Sequence, residues 1–490
     1  MTESRGGYRI EAGGPDESGL SPLPSRLNNA LQRSHLMVAI QSPSADELKK
    51  MALDHFWPHS QQVADFEKED GLHVIADGEG CWVQDTEGRK YIDVLSGMWL
   101  KNIGYGRKEI AEAVYQQMQT ITYSPENTTN VPALTLAARL AGMSRDKESR
   151  AFLVSGGSEA VESALKMAKA YHKNRGEAGR YKIISRQNSY HGATFALMGL
   201  GGYPGTQGFG PLVPGNIHVP TPNHYRCQFC SMAPECNVEC AKEIERVILH
   251  EGPETVAAVI GEPISTSAMM VPHPEYWPTI REICDKYGVL LIVDEVITGF
   301  GRTGKMFASE HWDLQPDIMT MAKGLSSGYL PIGAAVARKS VADEFIGGED
   351  KTFKHLFTFG GNPVSCAASL ANLDILENEG LIENSAEMGT YLYEQLQTLY
   401  EHPIVGEVRG GLGLLAAVEI VKDRDTKEKF PEDSGLGEML TKGFLKHSIL
   451  TRQRGNLIFM SPPLCVNRDE IDFIVSNLSE ILGEVSEKLG

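Results

Sequence analysis

Lys323 lies in Thr320-Met321-Ala322-Lys323-Gly324, downstream of an apolar run from Val289 to Val296 that is broken only by Asp294 and Glu295. An amine boxed in by Met, Ala and Gly has its ammonium form disfavoured by desolvation, so it can condense with an aldehyde and afterwards carry protons. A carboxylate at a strand end can face a pyridine nitrogen and keep it protonated, which lets the ring draw electrons from a carbanion. These are the requirements of pyridoxal-phosphate chemistry. A surface lysine and an acid that merely ends a strand would show the same letters, so the surrounding segments must decide.

Three segments bear on that choice. Ser155-Gly156-Gly157-Ser158-Glu159-Ala160 follows an expected strand and opens an expected helix, where free backbone N–H groups attract a phosphate. Ser189-Tyr190-His191-Gly192 follows the next strand, and an aromatic ring there can lie on a pyridine face. His355 to Pro363 (His-Leu-Phe-Thr-Phe-Gly-Gly-Asn-Pro) is turn-rich, with a hydroxyl and amides that could meet another phosphate oxygen. Each alone is ordinary scaffolding; together and in this order they describe a cofactor site.

The elements that must position these residues alternate. Strands are expected at 151–154, 182–185, 257–260, 289–293 and 331–337, with helices at 159–173 and 275–287, a pattern that gives an open parallel sheet covered by helices. Sites in such sheets lie at the carboxyl ends of the strands, where this pattern places Asp294 directly and where Lys323 is expected to join it. Before them, short strands are expected between 74 and 94 and helices over 109–121 and 134–143. After them come a helix at 384–399, strands near 405–409 and 414–421, a helix at 437–446 and a final helix after Asn467. The expected division is a disordered extension over 1–45, the first part of a small domain over 46–110, a large domain over 111–375 with a Cys-rich insert at 224–240, and the rest of the small domain over 376–490.

Composition narrows the function classes. With 41% apolar and 22% charged residues the chain can bury a large core, and a net charge of -18 disfavours nucleic acid and anionic membrane as partners. It carries no apolar run of the ~20 residues a spanning helix needs. Gly, Ser and Pro dominate the first 45 residues, while Glu3, Glu11, Asp16 and Glu17 do not suit a mitochondrial presequence, so a cytoplasmic protein is expected. Of the eight cysteines, Cys81, Cys284, Cys366 and Cys465 stand singly among apolar neighbours and read as small core residues. Cys227, Cys230, Cys236 and Cys240 form C-x2-C-x5-C-x3-C, which could hold a metal ion, stay as thiols or form a local disulfide.

From about residue 50 to the carboxyl end, these stations resemble the class III (ω-) aminotransferases of the fold-type I pyridoxal-phosphate superfamily. The resemblance implies an α/β fold with a large domain built on a central, mostly parallel sheet and a smaller α+β domain from both chain ends. It implies pyridoxal 5'-phosphate as cofactor, with Lys323 as Schiff-base lysine and proton carrier and Asp294 as partner of the pyridine nitrogen. Val296 and Tyr190 would flank the ring, with His191 beside it. Gly157 and Ser158 would bind the phosphate, joined by Phe357 and Thr358 of a neighbouring subunit. Glu262, in Gly261-Glu262-Pro263, would support the pocket. The site would lie at the interface of a homodimer or homotetramer.

Two segments, 95–106 around Trp99 and 450–455 around Arg452, are similar to the subgroup that moves amino groups between ω-amines or ω-amino acids and pyruvate. There Trp99 would line the substrate pocket, and Arg452, or its neighbour Arg454, would clamp a carboxylate. Ornithine and 4-aminobutyrate enzymes of the family carry a glutamate five positions after the Glu-Pro glutamate, and here Ser267 takes its place, which favours pyruvate over 2-oxoglutarate. An amine donor and a keto acid are therefore the expected partners. A decarboxylase, racemase or aminomutase on the same scaffold, or a cysteine-dependent metal or interaction protein, remain the rival readings.

Overall fold

The computed structural model describes residues 43–68, 71–202, 208–230 and 235–489. Its contacts separate into two compact units, one ending at Leu72 and the other running from His73, a division that falls inside the 46–110 segment. In the first unit Ser44 starts the helix Ala45–His55, its side chain accepting from the Glu47 amide while Glu47 reaches back to the Ser44 amide. Phe56 then stacks on Phe66, ring centres 6.5 Å apart. The extension expected over 1–45 lies, up to residue 42, outside the described residues.

Among the described residues, the second unit holds three sheets. β1 (Ile75–Glu79), β2 (Trp82–Asp85) and β3 (Lys90–Asp93) form an antiparallel meander. The central sheet follows in the chain: β4 (Arg150–Val154), β5 (Lys182–Arg186), β6 (Asn216–Val219), β7 (Val256–Gly261), β8 (Leu290–Asp294), β9 (Ile318–Met321) and β10 (Gly333–Ala337). The third contains β11 (Val405–Arg409) and β12 (Ala416–Ile420), joined by β14 (Gln453–Arg454) and β15 (Leu457–Met460), while β13 (Ile449–Leu450) pairs in parallel with β3.

Spatial order in the central sheet is β4-β10-β9-β8-β7-β5-β6. β10 runs antiparallel to both its neighbours, so the sheet is parallel except for this one strand. Strands β7 and β8 are buried at every position, as strands covered on both faces must be. Period-two alternation sorts their side chains. Ile183, Ala258, Ile260 and Ile292 pack with Val161, Ala164 and Ala168 of the helix Gly157–Asn174. Ile184, Val259, Leu291 and Val293 face the other way, toward Ile244, Ile248, Trp277 and Ile280 of the helices Glu239–Glu251 and Tyr276–Tyr287.

Two sequence expectations shift. The helix expected at 384–399 is Leu381–Leu396, which tightens into a 3-10 turn at Gln397. The turn-rich segment ending at Pro363 also starts a helix, Pro363–Asn378, because Asn362 caps two amides and Pro363 sits at the first helical position, where its missing N–H costs nothing. No described helix is long and apolar enough to cross a membrane.

Candidate active site

Parallel pairing aligns the chemistry at the strand ends. Asp294, the last residue of β8, pairs in register with Thr320 of β9. Its Oδ1 accepts from the Thr320 hydroxyl at 3.0 Å and from the Val296 amide at 3.1 Å, and its Oδ2 lies 2.7 Å from His191 Nδ1. Asp294 is 4% exposed, so three fixed neighbours rather than water hold this carboxylate. The adjacent Glu295 turns away from them and accepts from the amides of Ala308 and Ser309 and from Thr298. Of the two acids at the strand end, only Asp294 lines the cavity described below.

Lys323 comes three residues after Thr320, one residue beyond the end of β9 and its connecting Ala322. Its φ of 44° is left-handed, an uncommon conformation for a lysine that the surrounding structure must hold in place. Burial lowers its pKa from 10.5 to about 8, with the positive charge of Arg452 acting in the same direction and the Asp294 and Glu262 carboxylates opposing. The amine lies 5.6 Å from the centre of the Trp99 ring. It is thus a base that is partly neutral near physiological pH.

On the other side, β5 and β7 bring Arg186 beside Glu262. Arg186 Nη2 donates to Glu262 Oε2 at 2.8 Å and to its carbonyl at 2.6 Å, while the Thr266 hydroxyl donates to Oε1 at 2.7 Å. Arg186 is 2% exposed, a charge buried against its partner. Between β4 and the helix Gly157–Asn174, Gly156 offers no side chain to the helix start. The first amides of this helix are therefore not satisfied by a side-chain cap, and Ser158 Oγ accepts from the Ala193 amide at 3.1 Å. A Cβ on Gly157 would come 2.9 Å from Val296 Cγ1, so only glycine leaves room there.

These groups line one cavity of about 380 Å³, with Gly157, Ser158, Tyr190, His191, Glu262, Asp294, Val296 and Lys323 all in its wall. Tyr190 is 48% exposed at the mouth. Leu100, Thr266 and Ile297, which the sequence did not single out, also line it. Trp99 is not in this wall; it is nearly buried, with its ring edge-on to Phe459 at 5.9 Å. Arg452 bridges β13 of the first sheet and β14 of the third, its carbonyl accepting from the Phe459 amide. Phe357 and Thr358 are not in this wall; the Thr358 carbonyl accepts from the Tyr123 hydroxyl at 2.9 Å.

Thr320 and Arg186 are the site residues that sequence reading missed. Arg186, a polar residue ending β5, gave the same signal that revealed Asp294, whereas Thr320 lies one residue before the end of β9, a strand not among those expected. The cysteine segment lies apart from the cavity: all eight cysteines are unbridged, the Cys230 amide donates to Cys227 Sγ at 3.3 Å, and among the described residues no three His, Cys, Asp or Glu side chains converge as a metal site would need. The local disulfide considered for this segment is thus not formed.

A phosphate-bearing pyridine aldehyde fits this donor set. It needs a desolvated amine, a fixed carboxylate and an anion-binding helix start, and one cavity of ligand size presents all three. Comparison with known proteins agrees. The family model for class-III aminotransferases matches residues 65–482. A taurine–pyruvate aminotransferase of Bilophila wadsworthia is 39% identical and covers 91% of this chain and 99% of its own. A diaminobutyrate–2-oxoglutarate transaminase of Halomonas elongata is 37% identical, covering 85% and 91%. Among solved structures, a thermostable (S)-enantioselective omega-transaminase from Thermomicrobium roseum superposes with a TM-score of 0.86 at 39% identity, covering 91% of this chain and 100% of that one. The chain belongs to the class-III aminotransferases, pyridoxal-phosphate-dependent transaminases of the type I fold.

Proposed function

We propose that this transaminase moves an amino group from an ω-amine or ω-amino acid to pyruvate, yielding alanine and an aldehyde or ketone. The observation that carries the substrate reading is Arg452. Among the described residues its side chain has no hydrogen bond or ion pair, yet its charge is felt at the Lys323 amine. A guanidinium with no carboxylate of its own is available to a substrate carboxylate and can stand aside for an apolar amine. Ser267 adds to this: where a gating glutamate would stand, its hydroxyl donates to the Asn188 carbonyl and offers Arg452 no negative charge.

Bound pyridoxal phosphate supplies an aldehyde that takes the amino group and a protonated ring that draws electron density from the carbon bearing it. Lys323, whose pKa burial lowers to about 8, would take a proton from that carbon and return it on the cofactor side. Asp294, held by His191, Thr320 and the Val296 amide, would pair with the ring nitrogen and keep it protonated. Gly157 and Ser158 at the helix start take the phosphate, joined by Phe357 and Thr358 of a second subunit. Val296 and Tyr190 would enclose the ring and Glu262 would steady the pocket, while Leu100 in the wall and Trp99, its ring centre 5.6 Å from the Lys323 amine, would form the substrate side. The enzyme then works as a homodimer or homotetramer, and its eight unbridged cysteines suit the cytoplasm.

The test is a donor panel of taurine, β-alanine, 4-aminobutyrate, putrescine and a benzylic amine, each run with pyruvate and with 2-oxoglutarate. Pyruvate is expected to be preferred by about tenfold or more in kcat/KM, equivalent to ~1.4 kcal/mol. Glutamate forming faster than alanine overturns the acceptor assignment. Carbon dioxide or racemised donor in place of alanine favours the rival chemistries.

A further inference from the structure

Two cysteines 384 residues apart in sequence meet in space: Cys81 Sγ and Cys465 Sγ are 3.9 Å apart. They are not the isolated core residues that their sequence neighbours suggest. Cys81 lies in the turn between β1 and β2 and is 1% exposed, whereas Cys465, in the loop before the helix Arg468–Leu489, is half-buried. Both backbones are held. The Cys81 carbonyl accepts from the Asp93 amide at 2.8 Å, and the carbonyls of Leu464 and Val466 both accept from the Asn384 side chain. Gly104 passes between them, so tightly that a Cβ there would lie 2.8 Å from both Cys465 Sγ and the Gly80 carbonyl.

The electrostatics of the two thiols differ. The Cys465 pKa is lowered by the contact with Cys81 and by the Arg107 guanidinium, against its own burial and the Glu470 carboxylate. Cys81 is pushed the other way by the same contact, by burial and by Glu470. A partly accessible sulfur 3.9 Å from a fully buried one is the arrangement of an attacking and a resolving cysteine.

We infer that Cys465 and Cys81 form a reversible hydroperoxide-sensitive pair, in which Cys465 meets the oxidant and Cys81 resolves it to a disulfide. The Cys465 thiolate attacks one oxygen of the hydroperoxide. The O–O bond breaks, an S–OH forms, and hydroxide or alkoxide leaves and takes up a proton. Cys81 then gives up its proton and attacks the Cys465 sulfur, and the S–O bond breaks to release water. In sum, two thiols and hydrogen peroxide give one disulfide and two waters, with the sulfurs oxidised by two electrons and the peroxide reduced. The bridge joins the β1–β2 turn to the loop before the last helix. Between them runs the 93–105 loop, which Asp93 ties together through the Leu95 and Gly97 amides and the Tyr105 hydroxyl.

The full-length holoenzyme is treated with hydrogen peroxide, its remaining thiols are alkylated, and peptides are mapped without reduction. A linked peptide pair holding Cys81 and Cys465, two hydrogens lighter than the sum and restored to thiols by dithiothreitol, is the expected result. In Cys81→Ala, dimedone should label Cys465 several-fold more than in the wild type. Cys465 recovered as free thiol or as sulfinic acid with Cys81 unlinked overturns the proposal. So does dimedone labelling of Cys465 that is unchanged by Cys81→Ala. The wild-type peptide map decides alone if the variant does not fold.

Discussion

At the scale of single residues the account turns on how Lys323 and Asp294 are held. Lys323→Ala should lower turnover by about 10²–10⁴-fold or more, the range for losing a positioned acid–base group. The amine must be neutral to take a proton, and its pKa is lowered to about 8, so the donor half-reaction should accelerate as pH rises through that value and level off above it. The same shift acts on stability of the cofactor-free protein. Between about 8 and the unfolded value of 10.5 the unfolded chain binds more protons at this site, so stability should rise with pH across that window. Competitive amine acetylation of the cofactor-free protein against pH checks the value; a Lys323 titrating like an ordinary surface lysine contradicts it. Thr320→Val removes one of the three donors to Asp294, a hydrogen bond to a buried charge worth about 1.5–3 kcal/mol. The cofactor should bind correspondingly more weakly, as followed by its visible absorbance during dialysis.

At the scale of elements, strand ends carry the site and close backbone contacts fix the elements around them. Gly389 lies inside the helix Leu381–Leu396, where alanine would ordinarily be favoured by about 1 kcal/mol. Here an added Cβ would overlap the Gly413 backbone, and overpacking costs about 1–3 kcal/mol, so Gly389→Ala should destabilise. A denaturant midpoint at or above wild type would show that the contact can relax. The same logic separates what was legible in the sequence from what was not. Strands β7 and β8 could be read because uninterrupted Val, Ile, Leu and Ala leave no other reading, and Asp294 was found because it breaks such a run. The antiparallel sense of β10 and the two-residue strand β13 depend on distant partners and leave no local trace. Thr320 and Arg186 were not singled out because their partners, Asp294 and Glu262, lie 26 and 76 positions away. The Pro363 helix start was read as a turn because Asn-Pro suits both.

At the scale of the whole molecule, Phe357 and Thr358 lie outside the cavity wall of their own chain, and we propose that they serve the site of a second subunit. A mixture of Lys323→Ala and Thr358→Asp subunits, each nearly inactive alone, should then recover about a quarter of wild-type activity. Half the dimers of a symmetric, random assembly are mixed, and each of these has one intact site. No recovery after subunit exchange, verified by mass, would assign Thr358 to its own chain.

The central claim is that the cofactor is tethered through the side chain of Lys323. Borohydride reduction of the loaded protein, followed by peptide mapping, reads that attachment directly. The account predicts the reduced cofactor's mass on the peptide containing Lys323, in about one copy per chain. Attachment at another lysine, or no attachment in a protein that still transaminates, would contradict it.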